Sequence, residues 1–229
     1  MKIVIKISGH LISKEKKIID YEYLSRMAEV LRKLKREGNN VYVVTGGGYT
    51  SRKYIHVARE LGINESLCDE IGIEISRIHA RLLAGTLGEE ALLHIPTSLE
   101  EFIRLASITD KIIVAGGFQP GQSTTTVATL IAEAIKADLL IVTSDVDGIY
   151  TGDPKIDPSA RKIDRIHISQ LERMFQLQDI SAGSYKMIDP LSLLILKRSR
   201  IPAKFICGEP PSNIFKALSG ENIGTEVYA

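Results

Sequence analysis

Residues 112–135 read IIVAGGFQPGQSTTTVATLIAEAI. Ile112-Ile113-Val114-Ala115 is a short run apolar on both faces, as central parallel strands are. Gly116-Gly117 breaks it, Pro120-Gly121 forces a turn, and Ser123-Thr124-Thr125 supplies hydroxyls where a helix begins. Val127, Leu130, Ile131, Ala134 and Ile135 then recur on one helical face. The unit is strand, glycine loop, helix.

The same grammar recurs along the chain. Ile3–Ile7, Val41–Val44 and Leu139–Val142 are further aliphatic strands. Leu24, Met27, Leu31 and Leu34 mark a helix ended by Gly38-Asn39. Ile71, Ile75, Ile78, Leu82 and Leu83 form another stripe, with Glu74, Arg77 and Arg81 placed away from it. Strand and helix alternating in this order imply right-handed crossovers and an α/β fold, a three-layer αβα sandwich around a mainly parallel open sheet. After Ile149 the chain is turn-rich, with helices near Ser169–Phe175 and Leu191–Arg198 and strands at Ala203–Ile206 and Gly224–Val227. The 229 residues suit a single domain, with an N-terminal lobe over 1–137 and a C-terminal lobe over 138–229.

Four glycine-bearing segments follow the first strands: Lys6–His10, Thr45–Gly48, Gly116–Thr124 and Ser144–Gly148. Glycine permits close backbone approach, and a following helix N-terminus favours anions. Ligands of such sheets lie outside the carboxyl ends of the strands. The expected site is therefore a phosphate site lined by these loops. Neither G-x-x-x-x-G-K-[ST] nor G-x-G-x-x-G is present.

Within the loops, Lys6 stands in an Ile/Val strand two residues before Ser8-Gly9, within reach of a bound phosphate. A lysine snorkelling to water is the plainer alternative. Gly46-Gly47-Gly48 reads as an anion nest ahead of a helix starting near Thr50. That start puts Arg52 in the first turn, where a cation opposes the dipole unless it faces an anion. Asp145 is a candidate for ordering charge near phosphates, and Asp147 is mainly structural. His56, His79, His94 and His167 have no metal spacing and read as packing or surface residues, while His10 adjoins the first loop.

Composition narrows the partners. A net charge of +1 gives no basic face for a nucleic acid polymer. Cys68 and Cys207 lack zinc or redox spacing. The sequence starts directly as a strand and holds no eighteen-residue apolar run, so the expectation is a cytoplasmic protein without a membrane partner.

Together these segments resemble the amino acid kinase superfamily, and within it the archaeal type of uridylate kinase. The carriers are Lys6–Gly9, Gly46–Gly48 with Arg52, Asp69–Ile73, Gly116–Thr124, Asp145–Pro154 and Ile188–Leu191. The resemblance implies the amino acid kinase fold, transfer of the ATP γ-phosphoryl group to UMP with Mg2+, and a homohexamer built as a trimer of dimers. It places Lys6, Ser8, Gly9, His10, Gly48, Ser144, Tyr150 and Asp153 on ATP. It places Gly47, Arg52, Asp69, Phe118, Gln119, Pro120, Gly121, Gln122, Ser123 and Thr124 on UMP. Lys6, Asp145 and Lys186 would be catalytic, and no protein metal site is implied. The chain departs from the family pattern at Thr125, where many relatives carry an aspartate that organises the catalytic lysines. Two other functions fit the resemblance: a sister kinase for another small phosphate such as isopentenyl phosphate, and a catalytically weak nucleotide-binding regulatory protein.

Overall fold

The computed structural model describes residues 1–152, 156–177 and 188–229. Asp153 and Lys186 lie outside them. The chain runs β1 (Lys2–Ile7), α1 (Gly9–Ile12), α2 (Tyr21–Arg36), β2 (Asn40–Thr45), α3 (Gly48–Glu60), α4 (Glu65–Leu87), α5 (Leu99–Ile108), β3 (Ile113–Ala115), α6 (Thr124–Ile135) and β4 (Leu139–Ser144). It continues through β5 (Ile149–Tyr150), β6 (Lys162–Ile163), β7 (Arg165–His167), α7 (Ile168–Leu177), α8 (Pro190–Ser199), β8 (Ala203–Cys207), α9 (Asn213–Leu218) and β9 (Thr225–Tyr228).

One seven-stranded sheet has the order β3-β2-β1-β4-β8-β9-β7. Every pair in it is parallel except β8 with β9. β5 and β6 form a separate antiparallel pair. The order reverses at β1: the chain moves outward to β2 and β3, then returns to β4 on the other side. That reversal is the topological switch point, where open α/β sheets bind ligands. Since β1 to β4 are mutually parallel, their carboxyl ends share one edge, and all four glycine loops leave from it.

Side chains alternate across β1, so the sheet has two cores. Ile3, Ile5 and Ile7 pack with Met27 and Leu31 of α2 and Leu83 of α4. Val4, on the opposite face, packs with Val127 and Ile131 of α6 and Leu193 of α8. Helices α2, α6 and α8 are among those that begin where their sequences provide a cap. Asp20 accepts from the Tyr23 amide, Ser123 from those of Thr125 and Thr126, and Asp189 from that of Ser192. Among the described residues no helix is long and apolar enough to cross a membrane.

The structure corrects two expectations. α3 starts at Gly48, two residues before Thr50, so Arg52 is its fifth residue and lies past the first turn. The dipole penalty inferred for Arg52 is correspondingly weak. On α4 the buried residues are Cys68, Ile73, Ser76, His79, Ala80, Leu83, Ala84 and Leu87, while Ile78 and Leu82 are exposed at 45% and 41%. Around Ser76 the inner face is small and polar because the third loop lies directly against the helix there, while Leu83 and Leu87 join the core. A Cβ on Gly116 would come within 2.7 Å of the Arg77 amide nitrogen. Gly116→Ala should therefore cost about 1–3 kcal/mol, the usual range for overpacking, in urea unfolding. An unchanged unfolding midpoint would mean that α4 can withdraw from the loop.

Candidate active site

The first two loops touch main chain to main chain. A Cβ on Gly9 would lie 2.0 Å from the Gly48 nitrogen, and one on Gly48 would lie 2.2 Å from the Gly9 carbonyl oxygen. Gly48 also holds a φ of +64°, which L side chains rarely adopt. At the start of α3, Ser13 already takes two amides: Tyr49 N donates to its carbonyl (3.1 Å) and Thr50 N to its Oγ (2.9 Å). Glycine in this second loop thus serves contact between loops as well as any anion. The Arg52 guanidinium donates to His10 Nε2, joining residues that the resemblance assigns to different nucleotides.

Buried His79 donates Nδ1–H to the Gly46 carbonyl at 2.8 Å. Desolvation lowers its pKa, partly opposed by that carbonyl, so the ring is neutral at pH 7. It anchors the second loop from α4, consistent with a packing role.

The third loop is held at both ends. Ser76 Oγ accepts from Gly117 N at 2.7 Å. Arg77, its side chain 12% exposed, donates Nε–H to the Gly117 carbonyl (3.1 Å) and Nη2–H to the carbonyls of Phe118 (3.1 Å) and Thr97 (3.2 Å). Glu74 pairs with its remaining edge at 2.6 Å. Gln119-Pro120-Gly121-Gln122 closes as a turn, Gln122 N to Gln119 O at 3.3 Å, with Gly121 at φ +78°. Proline second and glycine third are what a type II turn requires. Asp69 Oδ2 accepts from Gly121 N at 2.8 Å, so Asp69 braces the loop it was expected to share with a ligand. Ser123 caps α6 and donates Oγ–H to Asp189 Oδ2 at 2.6 Å; Thr124 beside it is half-buried.

In the fourth loop Ser144 Oγ donates to Asp145 Oδ1 at 3.2 Å, and Asp145 is exposed. Asp147 accepts from the Tyr150 hydroxyl at 2.7 Å and lies 3.8 Å from the Lys162 ammonium, a structural pairing as expected. Lys6 sits one strand position before the end of β1, half-buried, beside Val44 and Val142 in register. Burial pulls its pKa down to about 8, against the opposing charges of Asp189 and Asp145. Among the described residues no three His, Cys, Asp or Glu side chains gather as a metal site.

Sequence reasoning missed Arg77, Ser76 and Asp189. Arg77 was placed on the solvent side because it falls off the apolar stripe. Only the packing of the third loop on α4 turns it inward. Asp189 carries a legible cap signal, an aspartate before Pro190, but nothing that places it beside Lys6.

A lysine flanked by four glycine loops at the switch point of a parallel sheet defines a phosphate-handling αβα enzyme core. The model of the amino acid kinase family matches residues 1–207, and the chain belongs to that family. It is 43% identical to the uridylate kinase of Hyperthermus butylicus, over 97% of this chain and 96% of that one. It is 41% identical to the uridylate kinase of Methanothrix thermoacetophila, over 99% of both. The crystal structure of uridylate kinase from Archaeoglobus fulgidus superposes with a TM-score of 0.87 at 38% identity, covering 99% of this chain and 100% of that one.

Arg77→Gln removes three donors to the third loop and its 97 neighbour. Hydrogen bonds from charged groups contribute roughly 1.5–3 kcal/mol each. Amide hydrogen exchange over Gly117–Gln122 should accelerate by at least about tenfold, on the order of 1.4 kcal/mol of local opening, with the sheet amides unchanged. Unaltered loop exchange would show that Asp69 and Ser76 suffice.

Proposed function

We propose that the chain transfers the γ-phosphoryl group of ATP to UMP, giving UDP. The observation that carries this reading is the desolvated ammonium of Lys6 at the switch point, among loops from β1, β2, β3 and β4. Membership of a kinase family and full-length likeness to proteins named uridylate kinase support it. The polar third loop, with Asp69, Gln119 and Gln122, suits a nucleotide better than the greasy pocket an isopentenyl chain needs. The retained lysine argues against a regulatory protein without turnover.

In this reading the lobe over 1–137 takes the acceptor and that over 138–229 the donor. Gly9, His10, Ser8 and Gly48 contact ATP phosphates, and Ser144 and Tyr150 contact its nucleoside. Gly47 and Arg52 hold the UMP phosphate. Asp69 reads the ribose with the carboxylate oxygen not engaged by Gly121, and the segment from Phe118 to Thr124 encloses the base. Phosphoryl transfer asks the protein mainly for in-line positioning and charge stabilisation. Lys6 neutralises charge as the γ-phosphoryl group moves, and the arginine fork fixes the acceptor. No general base is required, since the acceptor is an ionised phosphate. A Mg2+ ion would be held chiefly by ATP oxygens, where it would offset phosphate charge; among the described residues no three carboxylates gather to hold it instead.

The same reading includes a homo-oligomer, a hexamer assembled from dimers. Tyr54 and Val57 of α3, Leu61 just after it, and Leu67, Ile78 and Leu82 of the adjoining α4 are exposed apolar residues, an uncommon concentration on a monomer surface. A second copy of the chain would cover them. Ile78→Glu with Leu82→Glu should lower the mass measured by light scattering while circular dichroism stays unchanged. An unaltered mass would remove this face from the assembly.

A coupled assay over a panel of nucleoside monophosphates and small phosphates tests the activity. Turnover confined to UMP among the acceptors is the expected result, and preference for an isoprenoid phosphate would overturn it. Lys6→Ala should lose on the order of a hundredfold or more in kcat, with the UMP KM little changed. kcat/KM reports the free enzyme, in which Lys6 titrates near pH 8. Lysine is the charged form below its pKa, so kcat/KM should fall as pH rises through about 8. Bound phosphates raise that pKa, so the limb in kcat should lie higher. A kcat/KM profile flat to pH 10, or normal turnover in the alanine variant, would exclude Lys6.

A further inference from the structure

Asp189 has no part in the scheme above, yet its surroundings exceed what a helix cap needs. Capping α8 requires one acceptor for the Ser192 amide, which Oδ1 provides at 2.9 Å. Three hydroxyls also converge on the same carboxylate. Ser192 Oγ donates to Oδ2 at 2.5 Å, Ser123 Oγ to Oδ2 at 2.6 Å and Thr126 Oγ1 to Oδ1 at 2.8 Å. Two of these donors belong to the start of α6, so one carboxylate ties the N-termini of α6 and α8 together. Thr125 lies between them in sequence.

That carboxylate and Lys6 share one side of the sheet. Alternation along β1 puts Lys6 with Val4 on the sheet face covered by α6 and α8, and away from α2 and α4. Val44 and Val142 flank it from β2 and β4 and carry no charge. The first turn of α6 offers only the hydroxyls of Thr124, Thr125 and Thr126. Among the described residues, the opposing charges acting on the Lys6 ammonium are those of Asp189 first and Asp145 second. The other ionisable groups nearby are His10 of the first loop, Arg52 of α3, which donates to it, and Asp147 of the fourth loop, which is engaged by Tyr150 and Lys162.

We propose that Asp189 is a positioning residue of the phosphoryl-transfer site, locking α6 to α8 and supplying the fixed counter-charge of Lys6. Ionisation of Asp189 is secured locally. Desolvation raises its pKa, but the hydrogen bonds from Ser123, Ser192 and Thr126 outweigh this and hold it below the ordinary carboxylate value. Removing the charge leaves Lys6 with the full desolvation cost and only the exposed Asp145 to oppose it. The helix starts at α6 and α8, whose dipoles are positive, would then repel the ammonium. The proposal rests on reading Lys6 as the cation of phosphoryl transfer.

Asp189→Asn keeps a cap of equal quality and removes the charge; Asp189→Ser does the same if the Asn variant does not fold. Competitive acetylation with trace acetic anhydride across pH, read by mass spectrometry at Lys6, gives the lysine's titration midpoint without reference to any activity. The midpoint should lie near pH 8 in the native chain and fall by roughly one unit or more in the variant. Ser192→Ala, which removes a hydroxyl and keeps the charge, should lower the melting temperature and leave the midpoint in place. With ATP and UMP, Asp189→Asn should lose about ten- to a hundredfold in kcat, with the UMP KM little changed and the alkaline limb of kcat/KM moved to lower pH. An unmoved Lys6 midpoint, with a lower melting temperature alone, overturns the proposal and leaves Asp189 a cap. A lowered midpoint in a chain that never phosphorylates UMP supports the charge coupling and defeats the kinase reading instead.

Discussion

The structure depends on keeping one ammonium charged inside a buried sheet. Lys6 occupies the interior strand β1, where its neighbours in register are valines and its pKa has fallen to about 8. Water cannot solvate it fully there, so protein charge must. Nearby carboxylates do part of this, and phosphate oxygens would do more. A site built this way binds anions most strongly when charge concentrates beside the lysine, which is what electrostatic catalysis requires.

The glycine loops serve this arrangement through rigidity. Gly9 and Gly48 meet backbone to backbone, and Gly116 lies on the backbone of α4. Two of the loops are also tied down by α4 side chains, His79 to Gly46 and Arg77 to Gly117 and Phe118. The loops are therefore set by packing before any ligand arrives. Preorganised amides and cations need little reorganisation during the reaction.

α4 joins the site to the surface. Its inner face meets the third loop at Ser76 and the second at His79, and continues into the core through Ala80 and Ala84. Its outer face carries Leu67, Ile78 and Leu82 into solvent beside the apolar face of α3. A copy of the chain seated there, as proposed, would press on the helix that anchors the third loop. Assembly and acceptor binding would then share one element.

How much was legible follows from which signals are local. Strand runs, the α2 stripe, the hydroxyls from Ser123 at the start of α6 and the turn at Pro120-Gly121 depend on near neighbours in sequence, and they stand as read. The common edge of the four loops also followed, because parallel connections leave little freedom. The start of α3 and the inner face of α4 were misread. Periodicity finds an apolar stripe but cannot say whether it meets the core or another surface. Close helix–loop approach selects small and polar residues that look solvent-facing. Sequence by itself determined the layers, the loops and the lysine just ahead of the first loop. Only the tertiary structure brought Arg77 onto the third loop and Asp189 toward Lys6, because those pairings join residues 40 and more positions apart through packing that no local pattern encodes.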